Sequence, residues 1–131
     1  MARARIGDDE GRAAVAAWRA ASGAGAPEAS EPPEIDRATL ALAVRYSLQL
    51  LAERAPGGTV EVRVPPFAAV QCVEGPKHTR GTPPNVIETD AATWLSLATG
   101  GLAWAEARTA GRVHASGQRA DLEGLLPVLR S

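Results

Sequence analysis

The stretch from residue 36 to residue 58 constrains the fold most, because it predicts one long helix with a very wide apolar surface. Asp36 can cap its start, and the glycine pair at 57 and 58 ends it, so the helix should run to about Arg54. Its polar residues form one row, Arg45, Gln49 and Glu53. Apolar side chains fill the remaining arc: Leu40, Leu42, Val44, Tyr46, Leu48, Leu50 and Leu51. Such a helix normally packs against a sheet, which favours an α+β fold.

Two strands with period-two alternation follow this helix. Thr59–Val64 places its valines on one face and its charged residues on the other, which is typical of a half-buried strand. Ala68–Glu74 is a second strand, after a break at Pro65–Pro66, because proline cannot donate a hydrogen bond to a sheet. A polar loop and a strand at Asn85 come next. We expect these three strands to form an antiparallel meander, and a strand at Arg112–Ser116 to complete the sheet.

Glycines at 100, 111 and 117 divide the C-terminal half into short elements. A helix is expected after Thr89 or Asp90, either of which can cap it, and Gly100 suits its end because glycine tolerates positive φ. A second short helix carries Trp104. After the last strand, Asp121 is expected to cap a final helix with an apolar face, formed by Leu122, Leu125, Leu126 and Leu129.

The N-terminal third predicts a helix and a linker. Asp8–Ala21 begins with acidic residues, which favour a helix start, and continues with alanines. Val15 and Trp18 share a face that is too small to stabilise the helix alone, so the helix should dock on the domain or on a partner. The expected organisation is an N-terminal helix within residues 1–22, a flexible linker at 23–35 and the main domain at 36–131.

Composition excludes several classes of function. A chain of 131 residues suggests one domain, and 14 basic against 15 acidic residues give no basic excess for binding nucleic acid. No apolar run approaches the roughly 18 residues that span a bilayer, and no signal peptide is visible. We therefore expect a cytoplasmic protein without a membrane span. An edge strand and the apolar first helix would allow a homodimer without requiring one.

No motif for catalysis, metal binding or nucleotide binding is present. Cys72 is the only cysteine, and its alternating position in a strand favours a buried, unreactive thiol. The two histidines, His78 and His114, do not form a spaced ligand pair, which argues against zinc. No glycine-rich phosphate loop follows a strand. We expect no catalytic residue, no metal and no cofactor.

One polar cluster could bind an anion. The loop that contains Lys77, His78, Thr79, Arg80 and Thr82 combines two cations, hydroxyl groups and loop N–H groups, which could hold a phosphate or carboxylate head group. The alternative is a solvated hairpin whose basic residues keep it soluble.

The order of elements after Asn85 resembles the C-terminal half of the sterol carrier protein type 2 family, and the resemblance covers roughly Asp36 to Leu129. Three runs, Val62–Phe67, Cys72–Pro76 and His78–Asn85, are similar to small stand-alone bacterial relatives of that family, of the actinobacterial type. The resemblance implies an α+β fold with a mainly antiparallel twisted sheet of four to five strands and helices packed on one face.

The resemblance also implies a non-enzymatic carrier of a lipid or other hydrophobic small molecule. The ligand would occupy apolar space between helices and sheet, with the closing segment as a lid. The expected lining is Leu48, Leu51, Val62, Phe67, Val70, Trp94, Leu95, Leu125 and Leu126. The fold also occurs as an accessory domain on enzymes such as thiol-dependent isomerases, so the alternative is a protein-interaction module without a ligand of its own.

Overall fold

A computed structural model describes residues 4–22, 35–75 and 85–129. This part of the chain forms four helices and four strands in an α+β arrangement. Their order along the chain is α1 (Asp8–Ala21), α2 (Arg37–Arg54), β1 (Val60–Val64), β2 (Ala68–Cys72), β3 (Asn85–Thr89), α3 (Ala91–Thr99), α4 (Trp104–Thr109) and β4 (Val113–Ser116). The capping chemistry predicted from sequence is confirmed. Asp36 accepts the backbone N–H of Thr39 at 2.7 Å, and Gly100 ends α3 with φ 89°.

The sheet has the strand order β2-β1-β3-β4 and is mixed. β1 pairs antiparallel with β2 and parallel with β3, and β3 pairs antiparallel with β4. The predicted meander is therefore wrong, since β3 lies beside β1 instead of β2. Val60 is opposite both Cys72 and Asn85, so β2 ends and β3 begins at the same end of the sheet.

One face of the sheet, here called the core face, is covered by helices. The valines of β1 and Ile87 of β3 point to this face and are buried. Alternating residues, including Arg63, Glu88 and His114, point to the opposite, outer face, where Arg108 of α4 borders the same surface. This arrangement confirms the predicted fold class, with helices packed on one side of the sheet.

A buried polar link joins α2 to α3 inside this core. The indole Nε1 of Trp94 donates to Ser47 Oγ at 2.8 Å, and both residues are fully buried. The Ser47 hydroxyl lies 2.8 Å from the carbonyl oxygen of Ala43, to which it can donate. Both polar groups therefore have partners, and the largest side chain of the core is held in one orientation.

Helix α1 docks on α2 through a very close contact. Gly11 of α1 lies directly over the ring of Tyr46, where an added Cβ would come within 2.1 Å of the ring carbon Cγ. Ala14 and Val15 are buried on the same face, and Trp18 packs half-buried against the core. The absence of a side chain at position 11 lets the two helices approach this closely.

The closing segment, residues 117–129, is not a helix, so the predicted final helix is wrong. Asp121 caps only a turn, since its Oδ1 accepts from the backbone N–H of Glu123 at 2.9 Å. Gly124 has φ 84° and Pro127 lacks an N–H, and both features interrupt a helix. The segment is held instead by the N–H groups of Val128 and Leu129, which donate to Ala98 O at 2.9 and 3.1 Å.

Candidate ligand-binding clefts

Among the clefts on the surface of the described structure, two have apolar walls that include helix residues. The first, the β2 cleft, has a volume of about 370 Å³ and lies between the N-terminal residues, α2 and β2. Its lining is Ala4, Ile6, Arg45, Leu48, Gln49, Phe67, Ala68, Ala69 and Val70. The second, the C-terminal cleft, has a volume of about 350 Å³ and lies between α3, α4 and the closing segment. Its main apolar lining is Leu97, Leu102, Trp104, Leu122, Leu126 and Pro127.

The apolar walls of the β2 cleft come from three separate parts of the chain. Ile6 covers one side, Leu48 forms the floor on α2, and Phe67 and Val70 form the wall on the sheet. Phe67 begins the return into β2, and its N–H donates to Val64 O at 2.9 Å. The guanidinium of Arg37 lies 5.2 Å from the centre of the Phe67 ring. This geometry leaves an apolar surface with positive charge beside it.

Two polar side chains of α2 enter the same cleft. Gln49 clamps the backbone of Ile6, because its Oε1 accepts from Ile6 N and its Nε2 donates to Ile6 O, both at 2.9 Å. Arg45, one turn earlier, has its Nε buried, with no acceptor among the described residues. The Gln49 amide is therefore occupied, whereas Arg45 presents an unused donor.

An ionic cluster next to Ile6 ties the N-terminal residues to α2. Arg5 holds Glu53 of α2 with two bonds, of 2.6 and 3.0 Å, and also contacts Asp8 at 3.2 Å. The Tyr46 hydroxyl donates to Asp8 Oδ1 at 2.8 Å. The hydrogen bonds from Tyr46 and then Arg5 lower the pKa of Asp8, and the bond from Arg5 lowers the pKa of Glu53. Both carboxylates are thus already committed within the protein.

The C-terminal cleft has fewer interactions that could orient a ligand. Trp104 contributes a mostly buried ring, and the Arg108 guanidinium lies 5.8 Å from the centre of that ring, on the α4 side. Glu106 and Glu123 are the charged residues of its lining, and both are exposed. The cleft is therefore an apolar groove with acidic residues in its lining.

The residues predicted to line one pocket are distributed over three places. Leu48, Phe67 and Val70 meet in the β2 cleft, and Leu126 lies in the C-terminal cleft. The other members are packed in or against the core and line neither cleft; Leu51, Val62, Trp94 and Leu95 have no exposed surface, and Leu125 is partly buried.

The site also contains Ile6, Arg45 and Gln49, which were not predicted from the sequence. A signal existed, because Arg45, Gln49 and Glu53 form the polar row of α2. In the described structure, Arg45 carries a buried Nε without an acceptor, Gln49 clamps Ile6, and Glu53 is the partner of Arg5. A polar row on an otherwise apolar helix was thus a contact surface for another part of the chain.

The other candidate groups have the following positions. The Cys72 thiol is buried, and burial raises its pKa to about 11, so it remains protonated at neutral pH. His114 is exposed on the outer face of the sheet. The loop of Lys77, His78, Thr79, Arg80 and Thr82 lies outside the described residues. Within the ranges described, no group of three His, Cys, Asp or Glu side chains could hold a metal ion.

None of the helices within residues 4–22, 35–75 and 85–129 is long and apolar enough to cross a bilayer.

Residues 36–128 match the model of a protein family described as bacterial SCP ortholog, where SCP stands for sterol carrier protein. The match begins at the cap of α2 and includes all four strands. Helix α1 and the N-terminal wall of the β2 cleft lie outside it. No curated protein matches the chain.

Proposed function

The chain belongs to this bacterial family, which is sterol carrier protein-like, and we propose that it is a non-enzymatic carrier of a lipid or other hydrophobic small molecule. The binding site is the β2 cleft. Burial of apolar ligand surface, about 25 cal/mol per Å², supplies the affinity without any bond chemistry.

The observation that carries this proposal is the combination of walls in the β2 cleft. Ile6, Phe67 and Val70 offer partly exposed apolar surface above the buried Leu48, and the volume of about 370 Å³ is within the usual range of small-molecule sites. A few polar groups at one side are typical of sites that orient a ligand. The C-terminal cleft has a similar volume, but its described lining contains no comparable polar group.

The experiment measures binding of N-phenyl-1-naphthylamine, an apolar probe that fluoresces when it is enclosed, together with native mass spectrometry of gently purified protein. We expect saturable probe binding and an added mass that organic solvent removes. Two alanine-to-tryptophan variants assign the cleft. Ala68 lines the β2 cleft and is opposite Val64, so its side chain lies on the core face of the sheet, whereas Ala105 lines the C-terminal cleft. Ala68→Trp should weaken probe binding at least tenfold, and Ala105→Trp should leave it unchanged.

The opposite pattern would move the site to the C-terminal cleft. If neither an added mass nor probe binding is found, the carrier proposal fails. The alternative, an accessory protein-interaction module without a ligand of its own, would then be the better account of this chain.

A further inference from the structure

We propose that the β2 cleft selects a single-chain amphipath with a carboxylate head, which Arg45 binds, and a hydrocarbon chain of about ten carbons. This inference rests on the proposed carrier function and specifies its ligand class. The chain would lie along Leu48, Phe67 and Val70, with Ile6 covering it from the N-terminal side.

Arg45 carries an unused hydrogen-bond donor. Its Nε is buried and has no acceptor in the described parts of the chain. Guanidinium groups are almost always protonated, and a buried charged N–H without an acceptor is unfavourable. Buried polar atoms without partners are rare in folded proteins, so this one points to an acceptor that enters from outside.

The side-chain acceptors near this end of α2 already have partners within the protein. Gln49 Oε1 accepts from the backbone of Ile6, Glu53 is held by Arg5, and Asp8 accepts from Tyr46 and Arg5. Among the described residues that line the cleft, none is acidic. A ligand carboxylate would therefore supply the missing negative charge, and Arg binds this planar group well.

The volume of the β2 cleft limits the length of the ligand. At about 30 Å³ for each water-sized group, a volume of about 370 Å³ holds about a dozen non-hydrogen atoms. That corresponds to a chain of about ten carbons with its carboxylate. A fused-ring sterol is much larger, and most of it would remain in solvent. The cleft therefore fits a medium-chain acid better than a neutral sterol.

The experiment is isothermal titration calorimetry with straight-chain carboxylates from hexanoate to dodecanoate, and with octanol and octyl phosphate. Each enclosed methylene should raise the affinity about fourfold, and this gain should stop near ten carbons. Octanoate should bind about 10- to 100-fold more tightly than octanol, the range expected for a hydrogen bond to a charged group. Tighter binding of octyl phosphate than of octanoate would overturn the carboxylate assignment.

Arg45→Gln is the decisive variant, because it removes the charge and keeps a polar side chain of similar length. It should abolish the preference for octanoate over octanol, and Arg45→Lys should retain part of it. Arg108→Gln makes the same charge change on α4, away from the cleft, and should behave as wild type. Thermal unfolding of each variant checks that it is folded.

The results distinguish this inference from the proposed function. If affinity rises with chain length but octanol binds as well as octanoate to the wild-type protein, the carrier function stands and the carboxylate inference is wrong. The carboxylate inference is also wrong if Arg45→Gln keeps the preference for octanoate. If no chain binds at all, the proposed function itself fails. The wild-type comparison of head groups is sufficient even if a variant of Arg45 does not fold.

Discussion

Gly11→Ala should destabilise the protein, although the same change in most helices is stabilising. Alanine exceeds glycine in helix propensity by about 0.8–1 kcal/mol at an interior position. At position 11, however, the new Cβ would lie 2.1, 2.2 and 2.5 Å from three carbons of the Tyr46 ring. Carbon atoms in contact normally stay about 3.5–4.0 Å apart, so the two helices must separate by more than about 1 Å or the ring must leave its place.

The magnitude follows from these opposing effects. Overpacking a tight contact costs about 1–3 kcal/mol, and Tyr46 belongs to the high end of this range because its side chain is fully buried. Subtracting the gain in helix propensity leaves a net loss of about 2 kcal/mol in the free energy of unfolding. For a chain of this length, that loss lowers the melting temperature by about 8 °C.

Urea unfolding followed by tryptophan fluorescence measures the effect. Ala16→Gly, at an exposed position of the same helix, is the matched control and should cost only its propensity difference of about 1 kcal/mol. In a Tyr46→Ala background the clash is absent, so Gly11→Ala should become stabilising. If Gly11→Ala stabilises the otherwise wild-type protein, α1 does not dock on α2 through Gly11 and the packing argument is wrong.

Three further predictions test the core and the sheet. Ser47→Ala should cost about 1–3 kcal/mol, because the buried indole N–H of Trp94 loses its acceptor, and urea unfolding measures this loss. Asn85→Ala should cost about 2 kcal/mol, because the Asn85 side chain donates to Thr59 O and accepts from the backbone N–H of Arg119. An unfolding midpoint equal to that of the wild type would contradict this prediction. The Cys72 thiol should not react with dithionitrobenzoate at pH 8 until urea unfolds the protein. Because its folded pKa of about 11 is raised, its contribution to stability is present below about pH 9 and is lost as the pH rises through about 11.

Elements with local chemical signals were predictable from sequence. Helices α1 and α2 begin and end within a residue of the expected positions, because acidic residues and the Asp36 cap lie next to the first turns. The neighbour of β3 was not predictable in this way. Its direction is the same in the meander and in the observed sheet, and only its position beside β1 differs, which depends on long-range packing.

The candidate site was predictable only in part, for the same reason. Leu48, Phe67 and Val70 could be selected because helical spacing and strand alternation mark the inward side of an element. Alternation does not separate a cleft wall from a sealed core, so the equally apolar Val62 was also selected and lies fully buried. The place of Ile6 depends on contacts with α2 that are more than 40 residues away in sequence.

The β2 cleft is shared between two parts of the chain, since Ile6 lies outside the family match and Arg45 lies inside it. A ligand that touches both would bind more tightly to molecules in which the N-terminal residues are docked. Incomplete docking then lowers its apparent affinity, by at most about twofold if half of the molecules are docked. If docking raises the affinity for the ligand by some factor, thermodynamic reciprocity requires that the bound ligand raises the equilibrium constant for docking by the same factor. Substitutions at Gly11 or Glu53, neither of which lines the cleft, would therefore change how tightly the protein holds its ligand.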